Sequence, residues 1–273
     1  MTIKIYKELE QGTSEWLQAR CGIVTASTVG QLISKTTLGA THFECPDCHS
    51  HPHDPCIGAR GNPIKTMHPA RAEHAREQNV QKLAPATGDT AEMLSKTLIA
   101  ERITGHVEPA PTSRAMERGN LDEPYARLAY EERTGTSVDE IGFMTEDKHG
   151  YILGYSPDGL VGDDGLLEIK SRTQRIQLQT ILADEVPAGN LAQLQHGLLV
   201  SGRAWIDYVS YCGGMPLYVK RVYPDPEWHE AILAAVKLFE DKATSIISRY
   251  LEATAGQPNT ERIDHFPETE LVF

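Results

Sequence analysis

The sequence predicts an α/β fold: a central mixed sheet flanked by helices and interrupted by a small insertion rich in cysteine and histidine. Three observations predict it. Segments with helical spacing of apolar residues alternate with short β-branched and aromatic runs, as expected when helices cover a sheet. Between residues 39 and 88 the composition shifts to Cys, His, Pro, Gly and Arg, with few large aliphatics before Val80 and Leu83. Two short apolar runs, "GYILGYSPDGL" and "GLLEIKS", flank the turn "VGDDG" and carry two acids and a lysine.

Taken in order, "GTSEWLQARCGIVTASTVGQLI" reads as a helix through Trp16 and Leu17, a break at Gly22 and a second helix capped by Thr25 or Ser27. "DTAEMLSKTLIAERITG" places Leu94, Leu98 and Ile99 on one face and stops at Gly105. A proline-rich loop over 109–111 precedes "RAMERGNLDEPYARLAYEERTG", a helix carrying Met116, Leu121, Tyr125 and Leu128, with Pro124 near its start and Gly135 closing it. The two apolar runs around "VGDDG" read as paired strands, since Gly and Asp favour a tight turn. "NLAQLQHGLLVSG" is a helix capped by Asn190 and ended by Gly202. "AWIDYVSYC" and "PLYVKRVY" are strands, and a long amphipathic helix starts at Pro226. The expected organisation is a core of 1–38 and 89–273, an insertion of 39–88 and a flexible tail over 255–273.

A chain of 273 residues, 40% hydrophobic and 23% charged, suffices for one or two folded domains and excludes a disordered protein. No apolar run approaches the ~20 residues of a membrane span, so the expectation is a cytoplasmic protein without membrane contact. Five cysteines, three of them within residues 45–56, do not form a paired disulfide framework and point to metal instead. The net charge of -12 argues against a polyanionic partner on average. Arginines nevertheless gather at Arg71 and Arg76, at Arg114 and Arg118, and at Arg172 and Arg175, which leaves room for a basic channel inside an acidic exterior.

On a strand, Glu168 and Lys170 share one face while Ile169 turns to the core. Asp158 then meets Glu168 across the hairpin, and the two carboxylates supply hard oxygen donors of the kind magnesium selects. Read alone, the same residues also suit a solvated surface hairpin. In the insertion, Cys45, Cys48 and Cys56 are thiolate ligands for zinc, with His51, His53 or His68 as the fourth. A segment this poor in aliphatics needs metal to order it.

Pro157 and Asp158, nine residues, then Glu168, an apolar residue and Lys170 together resemble the PD-(D/E)XK nuclease signature. More narrowly, four segments resemble the lambda exonuclease and YqaJ-like phage recombinase family. "EWLQARCGIVTAS" is similar to its opening motif and "AMERGNLDEPYAR" to its glycine and acid helix. "SPDGL" with "LEIK" is similar to its metal core, and "LAQLQHGLLVSG" to the helix of its catalytic glutamine.

The resemblance implies a restriction-endonuclease-like core. Asp158, Glu168 and the Ile169 carbonyl would be magnesium ligands, with Glu123 for a second ion and manganese a possible substitute. Lys170 would be the catalytic lysine, and Gln193 would position the attacking water or Lys170. Arg20, Ser27 and Ser156 would cradle a terminal 5′ phosphate with Arg172 or Arg175. Without the resemblance, Arg20 reads as a surface ion pair, Ser27 as a helix cap, Gln193 as solvent-facing and Glu123 as a first-turn dipole partner; His196 reads as a packed helix histidine. A further likeness, of the "CPDC", "PC" and "HPAR" arrangement to small phage and actinobacterial zinc-binding modules, implies His68 as the fourth zinc ligand, with His51 its main rival. By residue type alone, Arg60, Lys65, Arg71 and Arg76 suit sequence-independent phosphate contacts, with a protein docking surface as the alternative for the insertion.

The activity implied is magnesium-dependent 5′-to-3′ exonucleolysis of duplex DNA by a phage or prophage protein. It would leave 3′ overhangs for a single-strand annealing partner, and a ring-shaped homotrimer would act in the bacterial cytoplasm. Two rivals stand beside it: an endonuclease of the same superfamily cutting internally or at branches, and a non-catalytic DNA-binding module organised by zinc.

Overall fold

The structure is a computed structural model that describes residues 3–108 and 113–263. The proline-rich loop over 109–111 and residues 264–273 of the expected tail lie outside the described residues, while residues 255–263 are exposed and form neither helix nor strand.

The chain opens with β1 (Ile3–Tyr6), α1 (Ser14–Ala19), β2 (Val24–Thr25) and the short α2 (Ala26–Val29). The insertion follows β3 (Ile33–Thr37), carries α3 (Pro69–Gln78) and returns through β4 (Gln81–Pro85). Helices α4 (Asp89–Thr104) and α5 (Arg114–Thr134) lead to β5 (Val138–Asp139), β6 (Phe143–Glu146), β7 (Leu153–Tyr155), β8 (Gly159–Val161) and β9 (Gly165–Ser171). Then come α6 (Gln174–Ala183), α7 (Ala188–Ser201), β10 (Trp205–Tyr211), β11 (Tyr218–Val222) and α8 (Pro226–Ala253).

The mixed sheet is present, in the order β11-β10-β9-β8-β5, with β9 and β10 parallel. A second mixed sheet, β1-β6-β7-β2, lies beside it, and β3 pairs with β4 in a separate ribbon. In that ribbon Thr37 faces Gln81, so the insertion leaves and rejoins the core at one place.

Alternation along β9 sorts its side chains between two cores. Leu166 packs with Leu194 and Leu198 of α7 and with Ile232, Val236 and Phe239 of α8. Leu167 and Ile169 face the other way, against Ala126 and Tyr130 of α5. Each such buried aliphatic or aromatic side chain contributes about 1.5–3 kcal/mol relative to exposure. Glu168 is therefore on the α7 face, with α5 covering the opposite one.

The expected stops at Gly105, Gly135 and Gly202 end their helices in left-handed caps. Within the turn at 162–165 only Gly162 takes a positive φ, +55°. Three expectations need correction. "GYILGYSPDGL" is two strands: residues 156–158 bend between β7 and β8, which belong to different sheets, and Pro157 has no N–H to give to a ladder. Asn190 does not cap α7, whose N-cap is Pro187; its side chain instead accepts from Arg172 at 2.6 Å. Pro124 lies in the interior of the 21-residue α5 rather than near its start, leaving one carbonyl of the preceding turn without its helical donor. The apolar residues Met116, Leu121, Tyr125 and Leu128 of that helix are exposed, and its inward face is Ala126, Arg127 and Tyr130.

Candidate active site

The site forms where the two strands of the hairpin differ in length. β8 begins at Gly159, opposite Leu167, while β9 runs on to Ser171, so the edge of β9 is open from Glu168 onward. Asp158 fills the gap, its Oδ2 accepting the Ile169 N–H at 2.6 Å. A strand residue sends its N–H and C=O to the same edge, which turns the Ile169 carbonyl toward Asp158 as well.

Glu168 is buried and fully engaged. Its Oε1 accepts Lys170 Nζ at 2.7 Å and Gln193 Nε2 at 2.5 Å, and its Oε2 accepts the Tyr155 hydroxyl at 3.1 Å. Loss of water pushes the Asp158 carboxyl well above the usual carboxylate range, and the charge of Glu168 adds to this. For Lys170 burial acts downward, but Glu168 and Asp158 outweigh it and the ammonium pKa is raised. Burial also raises the Tyr155 hydroxyl well above its ordinary value, reinforced by Glu168. A cation would offset the charge of these buried carboxylates, and two carboxylates with a carbonyl are donors that fit magnesium.

Glu123 approaches from α5. Its Oε1 is held at 2.5 Å by Arg127 Nη2. Burial raises its carboxyl, against the pull of Arg127.

A second cluster adjoins the bend. The Arg20 guanidinium lies over the Trp16 ring at 3.8 Å and donates to Thr25 Oγ1 at 3.2 Å and Ser27 Oγ at 3.0 Å. The Trp16 indole N–H donates to Ser156 Oγ at 2.9 Å, so Arg20, Ser27 and Ser156 are gathered through one tryptophan. Burial lowers Arg20 to about 10, with Glu101 opposing, and the group stays cationic near neutrality. Arg172 is committed elsewhere, to Asn190 Oδ1 at 2.6 Å and the Tyr208 hydroxyl at 3.0 Å. Arg175 is exposed on the first turn of α6. His196 is fully buried, with Nε2 3.1 Å from the Gly154 carbonyl, and burial lowers it to about 3. It packs the core, as expected.

Trp16, Tyr155 and Arg127 were not anticipated. Trp16 is four residues before Arg20 and Arg127 four after Glu123, so the i,i+4 rule would have paired both. Nothing in the sequence distinguishes Tyr155 from an ordinary core tyrosine. Its place depends on Gly197, where a Cβ would lie 2.7 Å from the Tyr155 ring. Gly197→Ala is expected to displace that ring and lower stability by about 1–3 kcal/mol. Denaturant midpoints for Gly197→Ala and for Tyr155→Phe, which keeps the ring, check this: only the first should fall by that much.

In the insertion, Cys45, Cys48, Cys56 and His68 bring their ligand atoms within 4.8 Å of one another. Three sulfurs and one imidazole in a closed group suit structural zinc. The Ser50 hydroxyl bond, set against burial, lowers the Cys48 thiol to about 5. His51 and His53 are not in the group: His51 offers its carbonyl to Arg71, and the His53 ring sits edge-on to His42. Arg71 itself corrects the expectation of a phosphate contact. It is fully buried and donates to the carbonyls of Phe43 at 2.8 Å, Asp54 at 2.7 Å and His51 at 2.7 Å. The loop around the cysteines has little apolar matter to pack, and this guanidinium ties it together. Arg60, Lys65 and Arg76 are exposed.

A mixed sheet between helices, with an Asp, a Glu and a Lys around the open edge of a hairpin, defines the PD-(D/E)XK nuclease class. Comparisons with known proteins narrow this. Residues 78–204 match the family model of the YqaJ-like viral recombinase domain. Residues 12–91 match the family described as "Putative DNA-binding phage zinc finger domain". That second match also takes in Trp16, Arg20 and Ser27, which lie ahead of the recombinase match.

Among solved structures, the chain is similar to the alkaline exonuclease LHK-Exo from Laribacter hongkongensis. Its complex with dAMP is 27% identical, with 89% of this chain and 98% of that one covered and a TM-score of 0.61. A second structure of the same enzyme is 26% identical, covering 88% and 100%, with a TM-score of 0.59. No match is found among curated proteins. Among the described residues, no helix is long and apolar enough to cross a membrane.

Proposed function

We propose that the protein is a magnesium-dependent exonuclease that degrades duplex DNA from a 5′-phosphorylated end, 5′ to 3′, leaving 3′ overhangs for recombination by single-strand annealing. The observation that carries the reading is the joint engagement of Asp158, Glu168 and Lys170 at the open edge of β9, with Gln193 bonded to the same carboxylate.

When bound, magnesium supplies Lewis-acid polarisation of the phosphodiester and a lowered pKa for attacking water. Asp158, Glu168 and the Ile169 carbonyl hold the ion. Lys170 orients the water and offsets charge building on the phosphate oxygens. Gln193 and Tyr155 keep Glu168 in one rotamer, so the ligand geometry is set before substrate arrives. Arg20, Ser27 and Ser156 receive the terminal phosphate, whose extra charge distinguishes an end from an internal linkage. The zinc-held insertion adds sequence-independent phosphate contacts through Arg60, Lys65 and Arg76. A homotrimer encircling DNA in the bacterial cytoplasm, and an annealing protein as partner, complete the reading by family likeness. The similarity to LHK-Exo supports it further, since dAMP is a product that trimming DNA releases.

Linear duplexes carrying 5′-phosphate or 5′-hydroxyl ends test the pocket. The phosphorylated end should be digested faster, and Arg20→Ala should remove ~10–100-fold of that preference, the worth of one charge-assisted hydrogen bond. Equal rates for both ends in the unmodified protein would remove the pocket from the mechanism. Closed circular duplex should resist digestion; extensive cutting there would favour the endonuclease reading.

A further inference from the structure

We propose that Arg127 is a positioning residue that keeps Glu123 off the metal-binding edge until DNA arrives. Without DNA the site would then take one divalent ion through Asp158 and Glu168, and Glu123 would contribute nothing to its binding. The inference rests on the nuclease reading of the site.

The geometry is that of a clamp. Arg127 Nη2 holds Glu123 Oε1 at 2.5 Å and reaches the Asp158 carbonyl at 3.3 Å, while Nη1 holds Glu140 Oε1 at 2.7 Å. One guanidinium thus joins α5, the segment after β5 and the bend that carries Asp158. Its side chain is 11% exposed and that of Glu123 30%, so the pair is partly sheltered from water and stronger than a fully exposed surface pair.

Arg71 shows what an arginine kept for architecture looks like here: its Nε, Nη1 and Nη2 all donate to acceptors. Arg127 does not match it. Its Nε is buried with no acceptor, so its placement follows the surrounding charge and not a full set of hydrogen bonds. The charges also count out. Arg127 cancels Glu123, which leaves Asp158 and Glu168 as the two carboxylates at the edge for one divalent ion. A second ion needs Glu123 released and further negative charge supplied, and an incoming DNA phosphate brings that charge.

The test is a titration of Mn2+ alone into zinc-replete, full-length protein without DNA, following free ion by electron paramagnetic resonance. The unmodified protein should bind one ion at this site. Glu123→Gln, which preserves shape, should leave that affinity within about two-fold, because Glu123 is committed to Arg127. Arg127→Met should tighten Mn2+ binding by about ten-fold or admit a second ion, and adding Glu123→Gln should reverse that gain. A clear loss of DNA-free affinity in Glu123→Gln alone would overturn the proposal, as would unchanged binding in a folded Arg127→Met. Asp158→Asn separates this from the parent reading: if that change does not weaken Mn2+ binding, the metal site itself is wrong.

Discussion

Asp158→Asn and Lys170→Ala will each lower magnesium-dependent nucleotide release by ~10²–10⁴-fold, the range expected when a charged group acting on the transition state is lost. The two should differ in how they do so. Asn retains an oxygen for the Ile169 N–H that Asp158 Oδ2 now accepts, and it removes a carboxyl that burial already penalises. Asp158→Asn should therefore be at least as stable as the unmodified protein without metal, yet lose the rise in Tm that magnesium gives, since an ion bound only to the native state stabilises it. Lys170→Ala should keep that rise, because Lys170 is a partner of Glu168 and not a ligand. Thermal melts with and without magnesium, beside a time course on end-labelled linear duplex, check both. Activity retained in either variant would end the nuclease reading.

The second large effect is expected in the insertion. Arg71→Met takes the donor from the part-buried carbonyls of Phe43, His51 and Asp54 and removes the cation lying 3.6 Å from Cys56 Sγ. Leaving an acceptor without its donor costs about 1–3 kcal/mol when it is shielded from water, and three acceptors lose theirs together. The segment enclosed by the β3–β4 ribbon has little apolar burial to offset such a loss. Zinc should leave, and protease should cut between residues 38 and 80 while the two sheets of the core stay intact. Cys45→Ser or a strong chelator should give the same fragments. Metal analysis and limited proteolysis are the measurements, and full zinc occupancy with unchanged fragments in Arg71→Met would refute this role.

The fold was legible in the sequence wherever a local pattern decided it. The spacing of Ile232, Val236 and Phe239 marked α8, and the aromatic run through Trp205 and Tyr208 marked β10. Of the candidate site, the hairpin trio and the cysteine set follow from short spacings, and the structure brings both groups together. What was not legible depended on long-range partners. Asn190 is a good cap by residue type, yet Arg172 draws its side chain away. Leu121, Tyr125 and Leu128 have the spacing of a buried face, but α5 turns Ala126, Arg127 and Tyr130 to the sheet instead. Helical spacing shows that apolar residues share a side, not which side the sheet lies on. Arg71 was misread because an arginine in a polar loop resembles a phosphate contact until the three carbonyls around it are known.

The bend over residues 156–158 has a consequence for what the enzyme would release. Ser156 belongs to the cluster proposed to seize the strand terminus, and Asp158, two positions on, belongs to the centre proposed to sever it. Two residues of chain reach at most about 7 Å, so the polypeptide itself acts as a ruler, setting the separation between grip and blade on the scale of a single nucleotide step.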